Sequence, residues 1–325
     1  MSQKLRAAVI GVGYLGRFHA QKYAALAGIG GIEGIELVGV ADAHLDTANR
    51  VAKELSTTAF GDYRQLLGQV DLVSVACTTE SHHAVALDFL KAGVHVLVEK
   101  PITVTVDQAD ELIQQAEFRK LALQVGHLER FNPAWLAVRD KITRPLFIEG
   151  HRMAPFKARG IDVSVVLDLM IHDLDLILPI VNSPISDLRA SGVSVLTDGI
   201  DIANVRIEFA NGCVANLTAS RTSTASLRRL RVFQHHEYMS IDFGERRISM
   251  SRKKDALIEG EALIDTESFQ EPPGDALMFE IQAFIQSIRS GSRPVVDGQA
   301  GRAALAVALD IDRMIEQRQI AIKTH

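Results

Sequence analysis

Three groups of residues in this chain have the types and spacing for chemistry. Gly11, Gly13 and Gly16 follow the apolar run Ala7-Ala8-Val9-Ile10, the order a dinucleotide-binding turn requires. Lys100 follows a second apolar run, Val94 to Val98, and stands between Glu99 and Pro101. In an open α/β sheet ligands sit beyond the carboxyl ends of the strands, so a lysine placed there reaches a bound nicotinamide. Asp168 and His172 are four apart in a helical pattern and so share a face. The glycine turn and Lys100 together point to hydride transfer, with the lysine at the reacting centre. Lys100 and His172 are the candidates for the hydroxyl proton, and Asp168 for positioning them or binding a neighbouring hydroxyl. A lysine beside a positive nicotinamide, partly desolvated, is expected to have a lowered pKa suited to general-base work. Taken alone, Asp168 and His172 are more simply a helix-surface ion pair. No metal is expected, because the usual His/Cys cluster is missing.

The glycine turn divides its work. Gly11 allows the tight turn, Gly13 lets the backbone approach a pyrophosphate, and Gly16 lets helix and strand pack closely. The N–H groups of Tyr14 and Leu15 then face the phosphates at the helix's positive end. Asp42 ends the second strand, where a carboxylate accepts the adenosine ribose hydroxyls and repels a 2′-phosphate. Ala43-His44-Leu45 follows it without an arginine, which favours NAD over NADP. The same Asp42 also suits the N-cap of the next helix.

These residues need a particular frame. Strands are expected at 5–10, 36–41, 72–76, 94–98 and 121–125, with helices at 15–26, 45–55 and 81–92 and another capped near Thr105. A glycine-rich insertion lies at 27–34. Such βα alternation implies a doubly wound parallel sheet. From His127 the pattern changes. A helix is expected over 132–141, a strand over 145–153 and a long helix over 163–181. Strands then follow at 186–196, 204–209, 214–221, 229–233, 239–243 and 248–251, and helices at 274–288 and 299–317. Asn211-Gly212 signals a hairpin. The expectation is a Rossmann domain over 1–127 and, over 128–325, an α+β domain on a mainly antiparallel open sheet for substrate binding and oligomerisation.

The chain has 325 residues, enough for two domains, and a net charge of −5, which speaks against a nucleic-acid or anionic-membrane footprint. Two cysteines, Cys77 and Cys213, make no disulfide framework and suit a reduced, cytoplasmic setting. The first apolar run is too short for a signal-peptide core.

With these motifs in place, the chain resembles the Gfo/Idh/MocA family of oxidoreductases. The resemblance rests on Gly11-Val-Gly13-Tyr-Leu-Gly16 with His19, Thr78-Thr79 leading to His82, Ala92-Gly93, Glu99-Lys100-Pro101, and Asp168-Leu-Met-Ile-His172-Asp-Leu. A proline often stands in the family where this chain has Thr78. The resemblance implies Thr78, His82, Glu99 and Lys100 at an NAD cofactor, with Glu99 on the nicotinamide ribose, and Lys100, Asp168 and His172 at the reacting alcohol. A narrower set, Gly126-His127-Leu-Glu129-Arg130-Phe131-Asn132-Pro133 with the segment from Asp162, is similar to a branch that oxidises the 3-hydroxyl of UDP-N-acetylglucosamine to a ketone. In that branch a partner aminotransferase installs a 3-amino group for lipid A or surface-sugar synthesis. His127, Arg130 and Arg159 are then expected at the substrate, the arginines offering planar forks to its diphosphate. Oxidation of a free sugar or cyclic polyol, as in inositol dehydrogenases, redox-assisted glycoside hydrolysis and a non-catalytic dinucleotide-binding regulator remain the alternatives. A homodimer or homotetramer is expected.

Overall fold

The computed structural model describes residues 4–27, 34–156, 163–258 and 261–323. Its first elements are β1 (Leu5–Ile10), α1 (Tyr14–Ala27), β2 (Ile35–Ala41), α2 (Leu45–Leu55), β3 (Thr58–Phe60), β4 (Leu72–Val75), α3 (Thr79–Lys91), β5 (His95–Glu99), α4 (Val106–Arg119) and β6 (Leu123–Gly126). There follow α5 (Pro133–Val138), β7 (Pro145–Met153), α6 (Ile171–Val181) and the strands β8 (Ile185–Val193), β9 (Ile202–Phe209), β10 (Val214–Ser220), β11 (Leu227–Gln234), β12 (Glu237–Asp242), β13 (Arg247–Ile258) and β14 (Glu261–Gln270). Helices α7 (Ala276–Ser290) and α8 (Gly298–Lys323) close the chain.

The chain forms two compact units. The first runs to Leu128 and takes up Ala276–Leu305 as well; the second is Glu129–Asp275 with the chain from Ala306. A single cut at 127/128 takes no account of that return. In the first unit six strands lie in the order β3-β2-β1-β4-β5-β6, all pairs parallel, the doubly wound arrangement of a Rossmann sheet. Strands such as β4 are buried along their whole length, as expected where helices cover both faces. Helix α4 starts on a capping box: the Thr105 side chain accepts the Gln108 N–H while the Gln108 side chain accepts the Thr105 N–H. Helix α7 lays Leu277, Ile281, Phe284 and Ile285 into the same core as Ala20, Tyr23 and Leu26 of α1, which is why it belongs to this unit.

The second unit carries eight strands in the order β14-β13-β12-β11-β7-β10-β9-β8. Every pair is antiparallel except β7 with β10. Along β9 burial alternates strictly at its centre, Ala203, Val205 and Ile207 inward and Asn204 and Arg206 outward. The hairpin at Asn211-Gly212 is present, with Gly212 at φ +87°.

Several boundaries differ from the sequence expectation. The short edge strand β3 was not expected; its three residues are too few for a pattern. The helix at 132–141 is shorter, α5 passing into a 3₁₀ turn at Arg139–Lys141. The strand expected over 186–196 is β8 and ends at Val193, where Asp201 gathers the backbone N–H groups of Val195, Leu196 and Thr197 into a turn. The strand expected at 248–251 is the longer β13, and its partner β14 was missed, because an exposed edge strand shows little apolar alternation. The insertion at 28–33 lies outside the described residues.

Candidate cofactor and catalytic site

The glycine turn joins β1 to α1. Gly11 has φ +80°, in the left-handed region that favours glycine. A Cβ on Gly16 would fall 1.8 Å from the Gly11 carbonyl oxygen, so only glycine allows this helix to sit so close. A Cβ on Gly13 would meet nothing within 4 Å, which leaves its backbone facing open space. Tyr14 and Leu15 open α1, whose first turn carries no acidic side chain. Their N–H groups belong to the helix end that lacks intrahelical acceptors and attracts anions.

Asp42 lies just past β2. Its Oδ2 accepts the Val12 N–H and its Oδ1 the His44 N–H, each at 2.9 Å. The N-cap of α2 is His44, not Asp42. A carboxylate has about four acceptor sites, so Asp42 keeps capacity for ribose hydroxyls. The carboxylate borders a cavity of about 730 Å³ shared with Gly11, Gly13, His44, Tyr63, Arg64, Cys77, Thr78 and Ser81. Arg64 stacks over the Tyr63 ring at 4.8 Å. Open space at Gly13, a helix N-terminus beside it and a carboxylate beyond the second strand together fit a dinucleotide.

Thr78 is the N-cap of α3 and lines the cavity. His82 is buried below it, with Nδ1 2.9 Å from the Pro101 carbonyl oxygen and Nε2 3.1 Å from that of Cys77. Burial lowers its pKa, opposed by those two carbonyls. Its ring ties the loop after β4 to the segment after Lys100.

Glu99 ends β5 and is buried. Its Oε1 lies 2.9 Å from His19 Nε2, and its Oε2 accepts the Lys100 backbone N–H at 3.2 Å. Burial alone would raise its pKa; the His19 hydrogen bond and the charges of His19 and Lys100 hold it below the ordinary value. Lys100 itself is half-buried and precedes Pro101 through a cis peptide. His127 is buried just beyond β6.

Asp168 and His172 lie in the second unit. A long α-helix was expected from residue 163, but Val166–Met170 form a π-helical turn before α6 begins. Single π turns are rare and occur often at functional sites. Asp168 lies within that turn and His172 in the first turn of α6, both half-buried. Three tethers hold the segment. The Val163 carbonyl accepts from Arg221 at 2.6 Å, the Val165 N–H donates to Ile200, and the Ser164 hydroxyl donates to Asp312 Oδ2 at 2.6 Å.

Of the arginines expected at a diphosphate, Arg130 spends its fork within the protein: Nε and Nη2 donate to the two Asp175 oxygens at 2.6 and 3.0 Å. Arg159 lies outside the described residues. The sequence reading did not foresee the buried ion-pair network around Arg152. Arg152 donates to Asp173 and, through Nη1, to Glu129 at 2.9 Å. Its signal was present: an arginine on the inward face of an alternating strand. Tyr63 and Arg64 left no such signal, since a four-residue 3₁₀ turn has no pattern to read. Glu280 left a faint one, a charge within the apolar stripe of α7.

Residues 5–127 match the profile of an oxidoreductase family with an NAD-binding Rossmann fold, GFO_IDH_MocA, and residues 139–236 match the GFO/IDH/MocA C-terminal domain. The chain is 41% identical over 314 residues to UDP-N-acetylglucosamine 3-dehydrogenase from Acidithiobacillus ferrooxidans, covering 96% of this chain and 97% of that one. A solved structure of UDP-N-acetylglucosamine 3-dehydrogenase from that organism superposes with a TM-score of 0.89 at 40% identity, over 97% of this chain and 98% of the other. Myo-inositol 2-dehydrogenase from Thermotoga maritima is 24% identical over 343 residues, 97% of each chain.

Proposed function

The chain belongs to the GFO/IDH/MocA family of oxidoreductases, and from that premise we propose that it oxidises the 3-hydroxyl of a UDP-linked N-acetylhexosamine, resembling UDP-N-acetylglucosamine, to a 3-keto sugar. It is an NAD-dependent enzyme acting on CH–OH groups. The observation that carries the sugar is the full-length similarity to the Acidithiobacillus enzyme, far above that to an inositol dehydrogenase. NAD, when bound, supplies the nicotinamide that accepts the hydride.

The remaining work falls to this chain's residues. The N–H groups at Gly13, Tyr14 and Leu15 and the close packing at Gly11 and Gly16 hold the pyrophosphate. Asp42 takes the adenosine ribose and repels a 2′-phosphate, while Thr78 lines the adjoining wall. Glu99 holds the nicotinamide ribose, and His82 braces the loops behind it. Lys100 takes the hydroxyl proton, His172 shares that proton chemistry, and Asp168 fixes a neighbouring hydroxyl. His127 lines the substrate side. The diphosphate falls to Arg159 and Arg130, the latter giving two of its five N–H donors to Asp175. The retention of Lys100, Asp168 and His172 argues against a non-catalytic regulator, which needs none of them.

The outer face of the second unit's sheet carries Phe147 edge-on to Phe233 and Phe233 tilted against Tyr238, with Arg231 over the latter two rings. We assign this face to a homodimer or homotetramer; a light-scattering mass of one chain would contradict it. A 3-keto product invites a PLP-dependent sugar aminotransferase as functional partner. No helix among the described residues is long and apolar enough to cross a membrane. Two free thiols, both pushed up to about 11 by burial, support a cytoplasmic placement.

The deciding experiment incubates the protein with NAD⁺ and a panel of UDP-sugars and follows the NADH band, with glutamate and an aminotransferase added to draw the ketone forward. NADH formed with UDP-N-acetylglucosamine supports the proposal. Turnover of inositol instead, with no binding of UDP, favours the polyol reading.

A further inference from the structure

Glu280 has no exposed surface. It stands on α7 among Leu277, Ile281 and Phe284, where an apolar residue would serve packing better. A buried carboxylate is costly unless its surroundings compensate it. Here it converges with His19 of α1 and Glu99 of β5: one polar side-chain atom of each lies within 4.8 Å of the other two. His19 bridges to Glu99 at 2.9 Å, and Glu99 accepts the Lys100 N–H. Gln124 of β6 donates to the Glu280 backbone carbonyl at 3.1 Å, which fixes this turn of α7 against the sheet. Glycine at 126 keeps the space open, since a Cβ there would fall 2.7 Å from the Glu99 carboxyl carbon.

Two carboxylates thus face one imidazole in a closed interior. Nearby Tyr23 adds no negative charge; burial raises its pKa, Ser74 opposes this, and the charge of Glu280 raises it further. Three such residues fall one short of the four ligands of a structural zinc site, and His19 already spends Nε2 on Glu99. The cluster lies at the carboxyl end of β5. Asp42 marks the adenosine side of the sheet at β2, so β5 underlies the nicotinamide half of a dinucleotide. The oxidised nicotinamide carries one positive charge and the reduced ring none.

We propose that Glu280 is a positioning residue for the cofactor: its buried carboxylate, acting with His19 on Glu99, makes the floor of the nicotinamide site anionic and favours the oxidised ring over the reduced one. This rests on reading the chain as an NAD-dependent dehydrogenase.

The test measures dissociation constants of NAD⁺, NADH and ADP-ribose by fluorescence or calorimetry, without substrate. In Glu280→Gln, ADP-ribose binding should stay at the wild-type value while the preference for NAD⁺ relative to NADH falls about tenfold, the size expected for one charge acting across a partly polar interior. Glu280→Asp, which keeps the charge, should hold the wild-type ratio. If Glu280→Gln loses ADP-ribose binding, Glu280→Met is read in its place, as an apolar side chain of similar length. An unchanged ratio in the charge-free variant, or an equal shift in Glu280→Asp, overturns the proposal. Wild-type protein that binds neither nucleotide defeats the dehydrogenase reading itself.

Discussion

Arg152 and Asp173 meet inside the second unit, with Nη2 2.7 Å from Oδ1 and Nε 3.1 Å from both carboxylate oxygens. Asp173 follows His172 directly, so the pair pins the start of α6 to β7. Arg152 extends the tie to Glu129, which also accepts from Asn132 and Arg228. The network ties α6, β7, β11 and the segment leading into α5 together, buried except at Arg228.

Removing one partner of such a pair leaves the other charge buried and uncompensated. Asp173→Ala is therefore expected to cost about 3 kcal/mol or more. Denaturant titration with a probe in the second unit measures this. A loss below about 1 kcal/mol would show that the network contributes little.

Asp42 makes two backbone hydrogen bonds and faces the cavity. Asp42→Ala should weaken NAD⁺ binding about tenfold or more, the worth of one or two charge-assisted bonds. It should also narrow the gap between NAD⁺ and NADP⁺, because the carboxylate that repels a 2′-phosphate is gone. Dissociation constants for both nucleotides decide it. An unaltered ratio would move cofactor choice away from this residue.

Lys100→Ala should lower kcat by roughly 10² to 10⁴, the usual contribution of a positioned acid or base. NAD⁺ affinity should change much less, since the turn and Asp42 are untouched. A kcat within threefold of wild type, with the correct sugar, would remove Lys100 from the reaction.

The nucleotide half was legible because its signals are local. A glycine turn needs three positions in a row, and a buried parallel strand shows itself as an apolar run such as Leu97-Val98 before Glu99. Asp168 and His172 were legible as a pair one turn apart. The π-helical turn was not, and the contacts that hold the residues just before it come from Ile200, Arg221 and Asp312, up to 148 residues away in sequence. The return of α7 was hidden for the same reason. Its apolar stripe announces a helix but not which core receives it. The pairing of Arg130 with Asp175 was not legible, because the two stand 45 residues apart in sequence.

Asp312 offers a test by pH. Burial pushes its carboxyl up to about 6, opposed by the Ser164 hydroxyl bond and assisted by the charge of Glu316. The unfolded group titrates near 3.8. Between those values the folded protein binds the extra proton, so stability from this group falls as pH rises and is fully lost above about 6. Asp312→Asn should remove that slope. At pH 8 it should be more stable than wild type by on the order of 2 kcal/mol. Tm measured from pH 4 to 8 on both proteins checks this; parallel curves would sink it.

Gly13 and Gly16 are three residues apart in one turn, yet the same substitution should weaken cofactor binding by a different route at each. A methyl on Gly16 would collide with the Gly11 carbonyl, whose position is fixed by its own hydrogen-bonded strand end. Gly16→Ala should therefore destabilise the first unit by about 3 kcal/mol or more, with cofactor affinity lost as a consequence. A methyl on Gly13 meets no protein atom, so Gly13→Ala should melt within about 2 °C of wild type. Its methyl occupies the space through which a pyrophosphate approaches, and NAD⁺ binding should weaken about tenfold or more while stability holds. Melting curves and NAD⁺ titrations on the two variants separate packing from ligand contact. If Gly13→Ala binds NAD⁺ normally, the pyrophosphate does not cross this turn, and the assignment of the glycine loop to the cofactor fails with it.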